Sequence, residues 1–158
     1  MEEKFLSRHF EIERAYDLDV FEEQGGYGVL EKVFAMDTDS IIAEMKKSNL
    51  RGRGGAGFPT GVKWGFMPRD SDVEKYLVIN ADEGEPGTFK DRSIMELDPH
   101  RLIEGCVATA WALDLDVGYI FVRGELELAI RRLERAIEQA RQAGYLGKNI
   151  QGKGFDFE

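Results

Sequence analysis

The hydrophobic and polar positions divide the chain into two halves with different patterns. In the second half, apolar runs rich in β-forming residues alternate with segments whose apolar residues recur at helical spacing. The predicted order is strand, helix, strand, helix and the start of a further strand, at residues 76–80, 98–113, 117–123, 125–143 and 155–158. This alternation predicts an α/β fold, in which a mostly parallel sheet is covered by helices.

The first half is less regular. Residues 1–25 are charged, with scattered aromatics, and predict an N-terminal arm that is extended or forms a short helix. A short amphipathic helix is predicted over 28–35. Asp37 offers an N-cap oxygen to a second helix that runs to about Ser48. We expect residues 26–158 to form the N-terminal part of one domain, whose sheet is not completed within them.

The two long helices carry clear boundary signals. Asp98 followed by Pro99 is typical of an N-cap and a first helical position. Gly144 is a typical stop for the second helix. The apolar stripe of that second helix consists of Leu126, Ile130, Leu133, Ile137 and Ala140.

Composition indicates an ordinary globular protein. The chain has 158 residues, of which 42% are hydrophobic and 32% charged, enough for one domain with a sizeable core. Neither a membrane-length apolar run nor a signal-peptide pattern is visible, so we expect no direct membrane insertion. A single cysteine, Cys106, excludes an intrachain disulfide and an all-cysteine iron–sulfur site built from these residues alone. These features favour a cytosolic, reducing setting.

Charge is unevenly distributed. The formal net charge of −9 argues against nucleic acid as a partner. Against this background, residues 51–66 contain no acid, six glycines, three large aromatics and three cations, which are Arg51, Arg53 and Lys63. A local cationic pocket on an anionic body suits a small anionic ligand.

This glycine segment contains a literal G-x-G-x-x-G at residues 52–57. The dinucleotide fingerprint should follow a strand and open a helix, whereas here a helix is predicted before it and a proline follows it. The segment still fits the more general mechanism of phosphate binding, in which backbone amides cradle the phosphate. Lys63 suits a point contact to an anion, and Phe58 and Phe66 suit stacking on a planar ring. The alternatives are a flexible surface loop, a solvated lysine and core phenylalanines.

An acidic turn follows the first predicted strand. Residues 80–87 place one amide and three carboxylates there, where ligands bind in parallel sheets. Asp82 or Glu83 is suited to accept a hydrogen bond from sugar hydroxyls, and Glu85 is suited to orient the polar edge of a ring. A divalent-cation site and a solvated acidic turn are the alternatives, although the spacing matches no calcium loop. Neither histidine lies near a nucleophile in the sequence, which disfavours a hydrolytic triad.

Four segments of the chain resemble the flavoprotein subunit of respiratory complex I, the NADH-binding and FMN-carrying subunit known as the F or 51-kDa subunit. They are LRGRGGAGFPTGVKW at 50–64, NADEGEPGTFKDR at 80–92, PHRLIEG at 99–105 and YIFVRGE at 119–125. The resemblance runs from about residue 20 to residue 158. The same motifs occur in subunits of NAD-reducing hydrogenases and NAD-dependent formate dehydrogenases, so they do not separate these branches.

The resemblance implies an atypical Rossmann-like domain that binds FMN and NADH. The FMN-binding residues expected from matching motif positions are Gly52, Arg53, Gly54, Gly55, Gly57, Lys63, Asn80, Asp82 and Glu83. Phe58, Phe66 and Glu85 are expected to contact the nicotinamide nucleotide. The family passes a hydride from NADH to the flavin and then single electrons to iron–sulfur clusters. The flavin carries this chemistry, so we expect no catalytic side chain and no metal ligand in this chain.

The resemblance also implies partners and a location. The family assembles with 24-kDa-type and iron–sulfur subunits in a peripheral arm on the cytoplasmic side of the inner membrane. Its own four-cysteine cluster, and a second flavin-contacting segment, lie in parts that follow the region matched here. Two alternatives stay open: a diaphorase subunit of an NAD-linked hydrogenase or formate dehydrogenase, and a non-catalytic assembly fragment that needs a partner chain.

Overall fold

The computed structural model describes residues 4–69 and 73–158, in which seven α-helices, one short 3-10 helix and two strands form. In chain order the elements are α1 Leu18–Glu23, α2 Gly28–Val33, α3 Thr38–Lys47, α4 Thr60–Trp64, β1 Tyr76–Ala81, α5 Lys90–Leu97, α6 Pro99–Leu113, β2 Val117–Val122, α7 Glu127–Gln142 and the 3-10 helix Ile150–Gly152. None of the helices in this described part is long and apolar enough to cross a membrane.

The two strands pair in parallel. Tyr76 lies opposite Val117 and Ala81 opposite Val122, while α5 and α6 make the connection between the strands. Leu77 and Ile79 of β1 pack against the helices. The predicted α/β fold with a parallel sheet is confirmed.

The sheet continues beyond β2 by one residue. The N–H of Glu158 donates to the carbonyl of Asp116 at 3.1 Å, and the N–H of Gly118 donates to the carbonyl of Glu158 at 2.6 Å. Phe157 instead forms an antiparallel bridge with Gly147. The strand predicted at 155–158 is therefore present only as this single-residue pairing with β2.

Two hydrophobic clusters form the core. The larger one joins α1, α2, α6, α7 and the segment after α7, with the buried side chains Phe21, Leu30, Ile103, Val107, Ala136 and Ile150 at its centre. The smaller one lies between the end of β1, α5 and α7, and contains Ala81, Met95, Ala129 and Leu133.

The buried face of α7 is rotated from the predicted stripe. Its buried residues are Ala129, Leu133, Ala136 and Ala140, so alanines make most of the contact with the core. Ile130 and Ile137 are only partly buried and line an open groove of about 350 Å³ along β2. The stripe predicted from the sequence is centred on large side chains, whereas close packing of α7 on its neighbours places small side chains at the contact.

The segment before α1 packs against α6 through a buried polar cluster. His9 is 4% exposed and Asp98 is fully buried. Asp98 precedes Pro99 as predicted, but its carboxylate makes no capping hydrogen bond. It accepts instead from Arg101 Nε at 2.8 Å and contacts His9 Nδ1 at 3.0 Å. Burial lowers the pKa of His9, which favours a neutral ring that donates from Nδ1 to Asp98.

A second buried histidine connects α2, α6 and α7. Tyr27 Oη lies 3.0 Å from His100 Nδ1, and Gln139 Oε1 lies 3.1 Å from His100 Nε2. Burial lowers the pKa of His100, so the ring is neutral, accepts from the tyrosine and donates to the glutamine. Each polar atom of the ring is thus satisfied. This histidine holds helices together.

Candidate functional site

The glycine segment forms a closed loop between α3 and α4. Arg51 and Pro59 make an antiparallel bridge at its neck. There the N–H of Gly52 donates to the carbonyl of Phe58 at 2.9 Å, and the N–H of Thr60 donates to the carbonyl of Leu50 at 2.8 Å. The loop that projects from this neck, residues 52–58, is therefore fixed at both ends.

The backbone amides in the middle of this loop have no hydrogen-bond partner. Those of residues 53–57 donate no hydrogen bond to any part of the chain that the structure describes. Gly55 and Gly57 have φ values of 103° and 61°, a backbone conformation that side chains disfavour. Arg51 donates to the carbonyl of Gly57 at 3.1 Å, which holds the far side of the loop. Consecutive free amides in such a turn form a concave anion-binding surface.

The cations of the segment are also unpaired. Arg51, Arg53 and Lys63 have no carboxylate within 4 Å among residues 4–69 and 73–158. By contrast, Lys47 on the preceding helix pairs with Glu44 at 3.8 Å. Positive charge beside amides without partners favours an anion there, so anion binding stays a prediction for this segment.

The phenylalanines of the segment lie at the surface. Phe58 and Phe66 are 47% and 70% exposed, and their ring centroids are 6.2 Å apart with an interplanar angle of 49°. Trp64 is partly buried and lines a small cavity of about 200 Å³ beside Met67. The core alternative for these two phenylalanines is therefore excluded, and both rings are available to a planar ligand.

The acidic turn lies at the carboxyl end of β1. Asn80 Oδ1 accepts from the N–H of Asp82 at 3.1 Å, which closes the start of the turn. The carboxylate of Glu83 accepts from the amides of Asp91 and Arg92 at 2.7 and 2.9 Å. Glu83 thus satisfies two of the free amides at the N-terminus of α5 and ties the turn to that helix.

The remaining acid of the turn is free. The carbonyl of Glu85 accepts from the N–H of Thr88 at 3.2 Å, but its carboxylate has no partner among the described residues. The side chains of Lys90 and Asp91 contact each other within the first turn of α5, and backbone amides of that helix make the connection to the turn.

Arg123 joins this cluster, although sequence reasoning assigned it no role. It follows β2 directly, and its Nε lies 3.9 Å from Asp82 Oδ1 and 3.6 Å from Glu125 Oε2. The Nε atom is buried and has no hydrogen-bond partner in the described part of the chain. A basic residue at the end of a strand, within the motif at 119–125, was the signal available in the sequence.

The predicted site residues form two separate groups. One is the glycine loop with its cations and exposed rings, and the other is the acidic turn with Arg123. No hydrogen bond, ion pair or ring contact within residues 4–69 and 73–158 joins residues 51–66 to residues 80–92. In the same described ranges, no three His, Cys, Asp or Glu side chains are grouped to hold a metal ion.

A parallel α/β unit with free loop amides, unpaired cations, exposed rings and hydrogen-bond acceptors at a strand end defines a nucleotide-binding domain. The comparisons with known proteins give the family. The sequence model of the Nuo51 FMN-binding domain matches residues 45–155. The chain therefore belongs to the Nuo51 FMN-binding domain family.

The names of similar proteins agree with this family assignment. The NADH-quinone oxidoreductase subunit designated F 2 in Rhizobium meliloti is 52% identical over 99% of this chain and 38% of its own length. The F subunit of the Escherichia coli NADH-quinone oxidoreductase is 50% identical over 89% of this chain and 32% of its own length. The chain thus spans about a third of the length of the curated relatives that it matches. The resemblance to the complex I flavoprotein subunit is confirmed.

A solved structure supports the fold. The NAD⁺-reducing [NiFe]-hydrogenase in its H₂-reduced state aligns with a TM-score of 0.70 and 38% identity, over 84% of this chain and 22% of the hydrogenase chain. The glycine loop and the acidic turn both lie inside the region that the family model matches. The individual roles of their residues stay predictions.

Proposed function

We propose that this chain is the N-terminal part of an NADH-oxidising flavoprotein module of a complex I-type NADH:quinone oxidoreductase, and that it holds FMN and NADH there. One observation carries the proposal: the amides of residues 53–57 are free on a loop whose cations are unpaired. Membership of an FMN-binding domain family, and relatives named as F subunits of NADH-quinone oxidoreductase, support it.

The glycine loop fits the phosphate end of FMN. Amide and guanidinium donors form charge-assisted hydrogen bonds to phosphate, each contributing about 1.5–3 kcal/mol. Because the bridge between Arg51 and Pro59 already fixes the loop, little ordering entropy opposes binding. Gly52, Gly54, Gly55 and Gly57 let the ligand approach the backbone, while Arg53 and Lys63 supply the charge.

The other predicted residues fit the remaining parts of the two nucleotides. Phe58 and Phe66 expose ring faces for the nicotinamide nucleotide, and the free carboxylate of Glu85 accepts a hydrogen bond from it. Asn80 and Asp82, on the turn after β1, are proposed to contact ribityl or ring groups of FMN, and Glu83 holds their turn to α5. FMN, when bound, would supply the hydride and single-electron chemistry, and these residues would supply position and field.

Relatives named as subunits of NADH-quinone oxidoreductase support a setting with partner subunits. We propose that the module acts with 24-kDa-type and iron–sulfur subunits, at the cytoplasmic side of the inner membrane. Its iron–sulfur chemistry belongs to residues outside this chain, whose one cysteine is buried in the core. The structural similarity to an NAD⁺-reducing hydrogenase keeps the diaphorase role as an alternative with the same NADH and flavin chemistry.

Replacing Lys63 with alanine tests the proposal. We expect FMN to bind about tenfold more weakly, because one cation beside the phosphate contributes roughly 1.4 kcal/mol. The loss should shrink as salt screens the interaction. The measurement is quenching of flavin fluorescence during titration of the purified protein with FMN.

Lys47→Ala is the matched control, since Lys47 already pairs with Glu44 on α3. It should bind FMN like the wild type. Absence of FMN binding by the wild type contradicts the proposed function. Equal affinity of the Lys63 variant and the wild type contradicts the assignment of Lys63.

A second candidate, a non-catalytic assembly role, is favoured by the uncovered face of the sheet. Tyr76, Val78, Tyr119 and Phe121 point away from the helices and are 48–67% exposed. Parallel sheets are normally covered on both faces, so a partner that covers this face would stabilise the fold. Under this role we expect the purified chain to be colourless and to associate, as measured by its visible spectrum and by light scattering. A yellow monomer contradicts it.

A further inference from the structure

Arg123 occupies the carboxyl edge of the sheet, between two loops. Because Ala81 and Val122 are paired in register, the residues that follow them, Asp82 and Arg123, leave the sheet side by side. The guanidinium of Arg123 also lies over Gly84, where an added Cβ would be 3.9 Å from Cζ and 3.0 Å from Asp82 Oδ2. One cation is thus packed against both the acidic turn and the start of the loop before α7.

The contacts of this guanidinium are electrostatic. Its Nε lies 3.9 Å from Asp82 and 3.6 Å from Glu125, which are ion-pair distances but too long for hydrogen bonds. Nε is nevertheless buried, without a hydrogen-bond partner among the described residues. A buried donor without a protein partner is costly and calls for an explanation.

The charges on either side supply one. Asp82 directly follows β1 and Glu125 lies in the loop between β2 and α7, and both are partly or largely exposed carboxylates at the same edge of the sheet. Without a cation between them they repel each other, which pushes the acidic turn away from β2. Glu83, the residue after Asp82, attaches the turn to α5, so Arg123 would give the turn a second point of attachment.

We propose that Arg123 is a positioning residue that ties the acidic turn to the end of β2 and thereby sets where Asp82 meets the bound nucleotide. The part that concerns the nucleotide rests on the proposed function. The attachment itself is a property of this chain alone, and its loss changes the turn whether or not a ligand is present.

The experiment compares Arg123→Met, Arg123→Lys and the double variant Arg123→Met/Glu125→Gln. Methionine keeps the length of the side chain and removes the charge, whereas lysine keeps the charge. The double variant also removes one of the two repelling carboxylates. Arg131→Met is the control, because Arg131 lies 3.6 Å from Glu127 on the exposed face of α7.

The first measurement is hydrogen exchange of two protected amides in the turn, those of Asp82 and Thr88. We expect their exchange to accelerate about tenfold in Arg123→Met, and to recover in Arg123→Lys and in the double variant. The second is the KM for NADH in the assembled oxidoreductase, which should rise about fivefold in Arg123→Met with a smaller change in kcat. A loss of general stability would alter both parameters and would not be rescued by Glu125→Gln.

Each outcome decides a separate point. Unchanged exchange in Arg123→Met overturns the attachment, even where FMN and NADH bind normally. Faster exchange with an unchanged KM overturns the link to the nucleotide. A wild type that binds neither FMN nor NADH overturns the proposed function and that link together, while faster exchange in the variant still supports the attachment.

Discussion

Replacing Gly61 with alanine should displace the glycine loop and weaken FMN binding, although alanine is the better helix former. Gly61 lies in the first turn of α4, and its backbone touches that of α3. An added Cβ would lie 2.5 Å from the amide nitrogen of Lys46 and 2.8 Å from the carbonyl carbon of Met45. These atoms belong to a helix backbone and cannot move aside as a flexible side chain can. The whole of α4 must shift, and the loop before it shifts too.

The expected loss of stability in Gly61→Ala follows from overpacking. Inserting a methyl group into a tight contact costs about 1–3 kcal/mol of folding free energy. Where the strain is relieved by moving the loop, the loss appears in FMN affinity, at about tenfold for every 1.4 kcal/mol. Urea unfolding measures the first quantity, and titration with FMN measures the second.

Gly105→Ala is the matched control. Gly105 lies inside α6, where an added Cβ would meet nothing within 4 Å. We expect this variant to be more stable than the wild type by about 0.5–1 kcal/mol, since alanine favours helix. A Gly61→Ala protein with wild-type stability and FMN affinity would show that the packing of α4 on α3 does not position the loop.

Replacing Asp98 with alanine should have the largest effect on folding. The carboxylate is fully buried and interacts with His9 and Arg101. Its removal leaves Arg101 largely buried beside a histidine, without a negative partner. Breaking a buried pair in this way costs about 3–5 kcal/mol. Because Asp98 does not cap α6, this loss cannot be a capping effect.

The measurement is urea unfolding, followed by limited proteolysis of the segment before α1, which loses its attachment through His9. Glu127→Ala is the control, since Glu127 pairs with Arg131 at 3.6 Å on the exposed face of α7. Exposed pairs of this spacing contribute about 0.3–0.5 kcal/mol. A loss at Asp98 no larger than at Glu127 would mean that the buried cluster contributes nothing to stability.

The elements that could be predicted from sequence are those whose signals are local. Asp37 accepts from the N–H of Ser40 at 2.8 Å, so the predicted N-cap of α3 is confirmed. The strands at 76–81 and 117–122 and the helices α6 and α7 also agree closely with their patterns. In each case the periodicity extends over enough residues to decide the element without tertiary contacts.

The elements that could not be predicted depend on distant residues. The helix α5 begins where the carboxylate of Glu83 meets the amides of Asp91 and Arg92, and nothing in the segment itself marks that start. The short α4 depends on the contact of Gly61 with α3. Arg123 comes beside Asp82 only because β1 and β2 pair in parallel.

The candidate site also has features that the local sequence predicts and features that depend on the fold. Composition predicts an anion-binding segment at 51–66, because glycines, cations and aromatics occur there without acids. Which amides are free depends on the bridge at the neck of the loop, and this needs the fold. Sequence reasoning assigns Asp82 and Glu83 to FMN and Glu85 to the nicotinamide nucleotide. The structure engages the carboxylate of Glu83 in α5 and leaves that of Glu85 without a partner among the described residues.

The neck of the glycine loop has an evolutionary consequence. At Gly54 an added Cβ would meet nothing within 4 Å, whereas Gly61 outside the loop is hemmed in by backbone. Gly55 and Gly57 also have open space around them, but their positive φ values strain any side chain placed there. Substitutions that alter recognition with little penalty to the scaffold are therefore expected at positions such as Gly54, while the turn at Gly55 and Gly57 keeps its glycines.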